Sequence, residues 1–338
     1  GKMQIEADYQ LGVGSVPKFL DLYSPVEYNL QVIEYRIRQI GYGSEVTREQ
    51  LSIWKQTLES GGSLTFGNVT LDNLGNFIDS LKYDTDWQKK IFRTAINHRA
   101  AVSASGGTEK LGYYASTVYN TQEGILIGQD QKTFNGLISL NSQLTSKLTA
   151  TLSLNYIRST ENRLREDQDL GAPLQSIALP PSDKAEKNNN YYLKVSKLLY
   201  NPRTEIENST NQGISNGIIS SLGLKYQFIP ELSVDVKAGV DYNKFEDILV
   251  LGGATRDGGG TFRGTGSGRS EYGKSKVSNY LLNSWATYTP EIGSDHDLSI
   301  ILGASYEESK GIFKRRVANI NSLTELKALD SSDPLLRD

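Results

Sequence analysis

The sequence predicts an all-β chain: a partial transmembrane antiparallel up-and-down β-barrel, about nine strands of a larger barrel, with a helical excursion after the first strand. Three observations carry this reading. The first is alternation. Between Lys147 and Tyr156, Leu148, Ala150, Leu152, Leu154 and Tyr156 fall on one face, and Thr149, Thr151, Ser153 and Asn155 on the other. Period two is the mark of a strand with one apolar and one polar side. The second is length. These alternating runs reach about ten residues or more, beyond the usual five or six, which is what a tilted strand needs to cross a bilayer. The third is a rhythm of long and short connections between strands.

Taken in order, residues 3–13 set Met3, Ile5, Ala7, Tyr9 and Leu11 against Gln4, Glu6, Asp8 and Gln10. Carboxylates facing lipid are costly, so the charged side should face water inside a barrel. The segment 14–97 interrupts the β pattern and reads as a helical insertion between strands one and two. Ser24-Pro25-Val26-Glu27 is a capping box with proline at the first helical position, opening a helix to about Gln39. Thr47 caps a second helix to about Glu59, and a short one is expected around Asp86 to Arg93.

Strands resume at His98–Ser105 and Leu111–Thr121, then at about 131–143 and 147–158, with only Leu144-Thr145-Ser146 between the last two. Residues 159–212 are polar and irregular. Further strands fall at 214–228 and 232–245 across Ile229-Pro230-Glu231, and at 277–289 and 297–308 after a glycine-rich loop. Run 232–245 is the clearest, setting Leu232, Val234, Val236, Ala238, Val240 and Tyr242 against Ser233, Asp235, Lys237, Gly239 and Asp241. Every second connection is tight and the others are longer, the asymmetry of an outer-membrane barrel with short periplasmic turns and longer external loops. Nine strands do not close a bacterial single-chain barrel, so further strands are expected after Asp338.

Composition agrees. Only 37% of the 338 residues are apolar, enough for a barrel, in which only alternate residues meet lipid. No apolar run approaches the length of a transmembrane helix. There is no cysteine, which excludes disulfides and thiolate zinc sites. A net charge of -3 offers no basic face for nucleic acid. Tyrosines number 19 against nine phenylalanines, a bias suited to membrane interfaces and sugar-binding surfaces.

One stretch is more specific than any pattern. Tyr83-Asp84-Thr85-Asp86-Trp87 precedes Ser105-Gly106-Gly107-Thr108-Glu109-Lys110, then the tyrosine-rich run Gly112–Tyr119, then Gln122-Glu123-Gly124-Ile125-Leu126. These motifs, in this order, resemble the SusC/RagA family of TonB-linked outer-membrane transporters. One departure is Gln131-Lys132-Thr133-Phe134, where the family pattern would have an arginine and a tyrosine. The resemblance implies that residues 1–338 are the N-terminal part of the barrel, with the plug and the TonB-binding segment before Gly1. It implies import of oligosaccharides or peptides (glycan uptake among them) through the outer membrane of a Bacteroidetes-type bacterium. A SusD-like lipoprotein would act as lid and TonB would supply energy. No constellation of residues points to an enzyme activity, a cofactor or a metal.

Candidate sites are few. Tyr191 and Tyr192 end the polar loop and could stack on a sugar or peptide, or else belong to an interfacial aromatic girdle. Asp235, Lys237 and Asp241 are expected to face the lumen, toward substrate or, more plausibly for a plugged barrel, toward the plug. Gly213-Ile214-Ser215-Asn216-Gly217 matches a hydrolase elbow but lacks the strand before and the helix after. Asp84 and Asp86, or Asp167 and Asp169, lack the rest of a calcium loop. The run Gly258–Gly268 lacks the lysine of a phosphate loop. His98 and His296 have no acid at a telling spacing. The alternative reading is a soluble or secreted all-β glycan-binding module, which would bury two sheets against each other.

Overall fold

Alternating sequences of this length pair side by side because each strand's apolar face continues its neighbour's. The computed structural model shows that outcome. It describes residues 2–25, 27, 28, 31, 48–60, 62–66, 69–71, 84–164, 176–181, 201–259, 266–292 and 296–328. Nine strands form one antiparallel sheet: β1 (Gln4–Gly14), β4 (Ala95–Gly107), β5 (Leu111–Glu123), β6 (Asp130–Gln143), β7 (Leu148–Asn162), β8 (Ser209–Ile229), β9 (Leu232–Leu251), β10 (Arg269–Tyr288) and β13 (Ile300–Ala318). Each pairs with the next in that order, so the sheet is up-and-down with β1 and β13 at its edges. Two hairpins, β2 (Leu64–Phe66) with β3 (Val69–Leu71) and β11 (Glu291–Ile292) with β12 (His296–Asp297), stand apart from it. Among the described residues no second large sheet packs on the first, which removes the sandwich geometry of the alternative reading.

The register fixes the faces. Val236 lies opposite Leu224 on β8 and Ser284 on β10, and Ala238 opposite Leu222 and Leu282. That face carries the apolar set of every strand and is called outward here. The other face is hydrophilic and cross-linked by its own side chains. Asn135 donates to Asn155 at 3.0 Å, Arg99 pairs with Asp8 at 2.9 Å, and Ser309 donates to Asn279 at 2.7 Å. On β9 the apolar outward residues run from Leu232 to Tyr242, about eleven residues, the length of a tilted bilayer crossing. Aromatic side chains bound this band. Tyr226 meets Phe228 edge-on at 4.6 Å at the lower end, and Phe134 meets Tyr156 at 6.2 Å at the upper, in keeping with interfacial girdles.

Three tight turns lie at one end of the sheet, with the longer 289–299 connection that carries β11 and β12. Thr108 donates its amide to Leu111 across one, Leu144 to Leu148 across another, and Pro230-Glu231 alone link β8 to β9. The other end holds the connections 15–94, 124–129, 163–208 and 252–268. It also holds the helices α2 (Trp87–Ile91), α3 (Pro202–Glu207) and α4 (Leu323–Ala328), while α1 (Arg48–Glu59) falls within the 15–94 connection. The capping box is formed: Ser24 donates its amide to the Glu27 carboxylate at 2.9 Å, and Glu27 donates back to the Ser24 hydroxyl at 3.3 Å. The Ser24 amide, joined by the Ser24 hydroxyl donating to the same carboxylate at 2.8 Å, holds the exposed Glu27 carboxyl below the usual carboxylate range. The end of that helix and Thr47 lie outside the described residues, as do Asp167 and Asp169.

Strand lengths differ from the sequence reading at the long-connection end. β9 continues to Leu251, β10 begins at Arg269, and β13 reaches Ala318. Residues 246–251 and 269–276, expected as connection, are paired strand, and 309–318, beyond the expected end of the last strand, are paired as well. Outside the bilayer nothing enforces an apolar face, so alternation fades where pairing persists.

Candidate functional site

The buried core of the described residues lies mainly in the cluster of long connections rather than on the sheet faces. Asp86 caps α2, accepting the Lys89 amide at 3.1 Å, and Trp87 and Ile91 are buried behind it. Burial pushes the Asp86 carboxyl up. The hydrogen bonds and charge of Lys89 outweigh this and hold it below the usual range, while Asp86 raises the Lys89 ammonium. The carboxylate offered in sequence as a calcium ligand is therefore a helix cap.

From α2 the connections are stitched together. Trp87 Nε1 donates to the Pro180 carbonyl at 2.9 Å, and Thr85 N to Pro181 O at 2.8 Å. Gln88 brackets Leu20, accepting from its amide at 3.0 Å and donating to its carbonyl at 2.8 Å. Arg93 clasps the 124–129 turn through the carbonyls of Gly124 (3.0 Å) and Gln129 (2.9 Å). α3 docks alongside, Arg203 reaching the Lys90 carbonyl at 3.4 Å, and Glu205 accepts the Arg256 amide at 2.6 Å. Segments from four separate connections thus make one platform at the mouth of the sheet. Tyr191 and Tyr192 belong to the connection that supplies Pro180 and α3 but lie outside the described residues.

Asp235, Lys237 and Asp241 lie on the hydrophilic face. Asp241 accepts from Asn279 at 3.5 Å, the far end of a chain that begins at Ser309. Asp235 stands opposite Lys225 on β8 and Trp285 on β10, and Lys237 opposite Gly223 and Asn283. The three do not converge; they are spread along one strand. Higher on the same face are groups the sequence reading missed. Arg163 pairs with Asp247, and Glu271 pairs with both Arg269 and Arg315, the latter at 2.6 Å. They sit above the apolar band, so no alternating run pointed to them.

Gly213, Ser215 and Gly217 lie within β8, in register with Glu161, Ser159 and Ile157 of β7, with no turn or helix after the serine. His98 faces outward, its Nδ1 hydrogen-bonded to the Tyr9 hydroxyl at 2.7 Å. An apolar depression of about 440 Å³, lined by Val102, Ala104, Gly136, Leu154 and Tyr156 among others, also opens on the outward face and so toward lipid rather than the lumen.

A sheet with one continuous apolar face of membrane-spanning height, one hydrogen-bonded polar face, and tight turns at one end defines a segment of an outer-membrane β-barrel. Comparison with known proteins carries this further. No family model matches the chain. It is 24% identical to TonB-dependent receptor P3 of Formosa agariphila over 245 residues, covering 68% of this chain and 23% of that protein. It is 21% identical to TonB-dependent receptor SusC of Bacteroides thetaiotaomicron over 262 residues, covering 68% and 25%. Its fold superposes on the RagAB peptide transporter with a TM-score of 0.71 at 18% identity, over 100% of this chain and 38% of that one. The open-open state of the RagAB peptide importer gives 0.70 at 17%, with the same coverage. The chain thus spans about a quarter of the length of the curated relatives it matches. The likeness to SusC/RagA-family TonB-dependent outer-membrane transporters is a partial match at low identity, that of a barrel segment. It supports an outer-membrane location.

Proposed function

We propose that this chain is part of the wall and mouth of a TonB-driven importer for oligosaccharides or peptides, working under a SusD-like lipoprotein. In this reading residues 1–338 are one barrel portion, and 14–97 is an insertion between its first two strands that folds over the rim. The observation that carries it is the two-faced sheet with segments of four connections gathered into a platform at one end. Such a platform suits capture at the surface, and a polar wall suits a plugged, water-lined interior. The RagAB likeness favours peptides as cargo, while the tyrosine-rich composition suits either cargo.

In this reading Tyr191 and Tyr192, in the 163–208 connection, offer stacking faces to the ligand. Asp235, Lys237 and Asp241 face the lumen and hold the plug by hydrogen bonds. The test is uptake by cells carrying or lacking the intact gene, supplied with labelled oligopeptides or labelled oligosaccharides. Gene-dependent accumulation of one class that collapses when TonB is disabled supports the reading. Accumulation of neither, with the protein present in the outer membrane, sinks it.

A further inference from the structure

Above the apolar band, the outward face of β9, β10 and β13 changes character. Lys244, Lys274, Lys276, Lys314 and Arg316 share it with one carboxylate, Glu246, and just below them Lys310 and Glu308 stand level with Tyr242 and Val240. The carboxylates are already engaged. Glu246 pairs with Lys244 at 2.8 Å and accepts the Tyr272 hydroxyl at 3.0 Å, and Glu308 pairs with Lys310 at 2.9 Å. Lys274, Lys276 and Lys314 have no carboxylate partner among the described residues.

The register crowds these cations around one carboxylate. Lys244 lies directly opposite Lys276, and Lys274 lies between Lys314 on β13 and Glu246 on β9. Like charges in directly opposed positions destabilise a sheet, and here two such pairs are adjacent. Just above, α4 folds back over the same face. Lys327 stands 4.5 Å over the Tyr272 ring, its carbonyl accepts from Arg316 at 2.9 Å, and Leu326, Ala318 and Ser270 are fully buried there. Helix α4 therefore bounds the patch on one side and adds a further cation.

Height identifies the partner. Lys276, level with Lys244, is one outward position beyond Tyr242, the last apolar residue of the band, about 7 Å further along a tilted strand, and Lys274 and Lys314 are one position beyond that. A bilayer's headgroup layer extends about 5–8 Å beyond its hydrocarbon on each side. We infer that this patch binds the phosphate of an anionic lipid headgroup in the leaflet at the long-connection end, which lies between Lys274, Lys276 and Lys314 and relieves their repulsion. The inference rests on the barrel reading above, which sets the outward face in lipid.

The test uses the intact protein, purified from outer membranes in neutral detergent and titrated by native mass spectrometry with phosphorylated lipid A and with its dephosphorylated counterpart. Each lysine near an anionic surface contributes about fivefold in affinity. The Lys274→Gln/Lys276→Gln/Lys314→Gln variant is therefore expected to bind phosphorylated lipid A on the order of 100-fold more weakly. The triple arginine variant should keep its affinity within a few-fold, and the dephosphorylated lipid should bind wild type and variants alike. In neutral detergent the glutamine variant should melt no lower than wild type, since repulsion has been removed. Unchanged binding by the glutamine variant, equal binding of the dephosphorylated lipid, or equally tight binding of inorganic polyphosphate would each overturn the assignment. Wild type that fractionates away from the outer membrane would instead bring down the barrel reading beneath it.

Discussion

At the scale of single residues, facing decides cost. Val236 sits mid-strand on the outward face between Leu224 and Ser284, and Lys237 on the opposite face beside Gly223. A lysine on the lipid side near the midplane costs roughly 2–4 kcal/mol. Val236→Lys should therefore lower the yield of folded protein in the outer membrane sharply, whereas Lys237→Val should leave that yield near wild type. Surface-accessible, heat-modifiable protein on gels would report the difference, and equal yields for both variants would mean that the faces are misassigned. The platform has its own sensitive residue. Trp87 is buried and donates its indole N–H to Pro180. Trp87→Phe strands that carbonyl at a cost of about 1–3 kcal/mol, and Trp87→Ala adds a cavity for a total of about 3–5 kcal/mol. Proteolytic nicking should rise within 84–94 and 163–181 in that order of severity, while the sheet's protection is unchanged.

At the scale of elements, α2 is a five-residue helix held by its ends and its buried face. Its Asp86 cap is worth about 0.5–2 kcal/mol, and its carboxyl is held below the ordinary range by Lys89. A depressed folded-state pKa means the stabilisation is present above the unfolded-state value and is lost as pH falls through the folded one. Hydrogen exchange at the Lys89 and Ile91 amides should hence stay slow at neutral pH and accelerate only in acid below the usual aspartate range. Asp86→Asn, which still caps but carries no charge, should flatten that pH dependence; a profile identical to wild type would show that the cap is not the group titrating. Elements of this kind mark where the sequence could be read. Strands inside the bilayer were legible because lipid on one side and water on the other enforce alternation, as from Leu232 to Tyr242. Beyond the band, Lys244, Glu246, Lys274 and Lys276 occupy outward positions in strands that are still paired, and the code fails. Helix α3 had a local signal in Asn201-Pro202, cap and first-turn proline, hidden inside a polar stretch. The Trp87–Pro180 bond joins residues 93 apart in sequence, and no local pattern could announce it. Glu271 meeting Arg315 is a fact of register between β10 and β13, set by a turn far away at the other end.

At the scale of the whole molecule, the testable property is sidedness. Residues 1–338 contain no cysteine, so once any cysteine elsewhere in the full protein is replaced, single cysteines introduced here report without background. Arg256 lies in the 252–268 connection at the platform end, and Glu291 in the joint between β10 and β13 at the opposite end. In intact cells producing the full protein, a membrane-impermeant maleimide should label Arg256→Cys, and should label Glu291→Cys only after the outer membrane is permeabilised. Along β9, cysteines at positions 234, 236, 238 and 240 should resist an aqueous reagent and be quenched by a lipid-soluble one. Those at 235, 237 and 241 should behave oppositely if the lumen is wet, or be shielded from both reagents if a plug packs on Asp235, Lys237 and Asp241. That last contrast separates the two roles open to these residues. Period-two labelling confined to 232–242 and lost by Lys244 would also locate the membrane boundary at the level where the lysine patch begins. A pattern without period two, or one in which both ends label from outside, is incompatible with a sheet that spans the membrane.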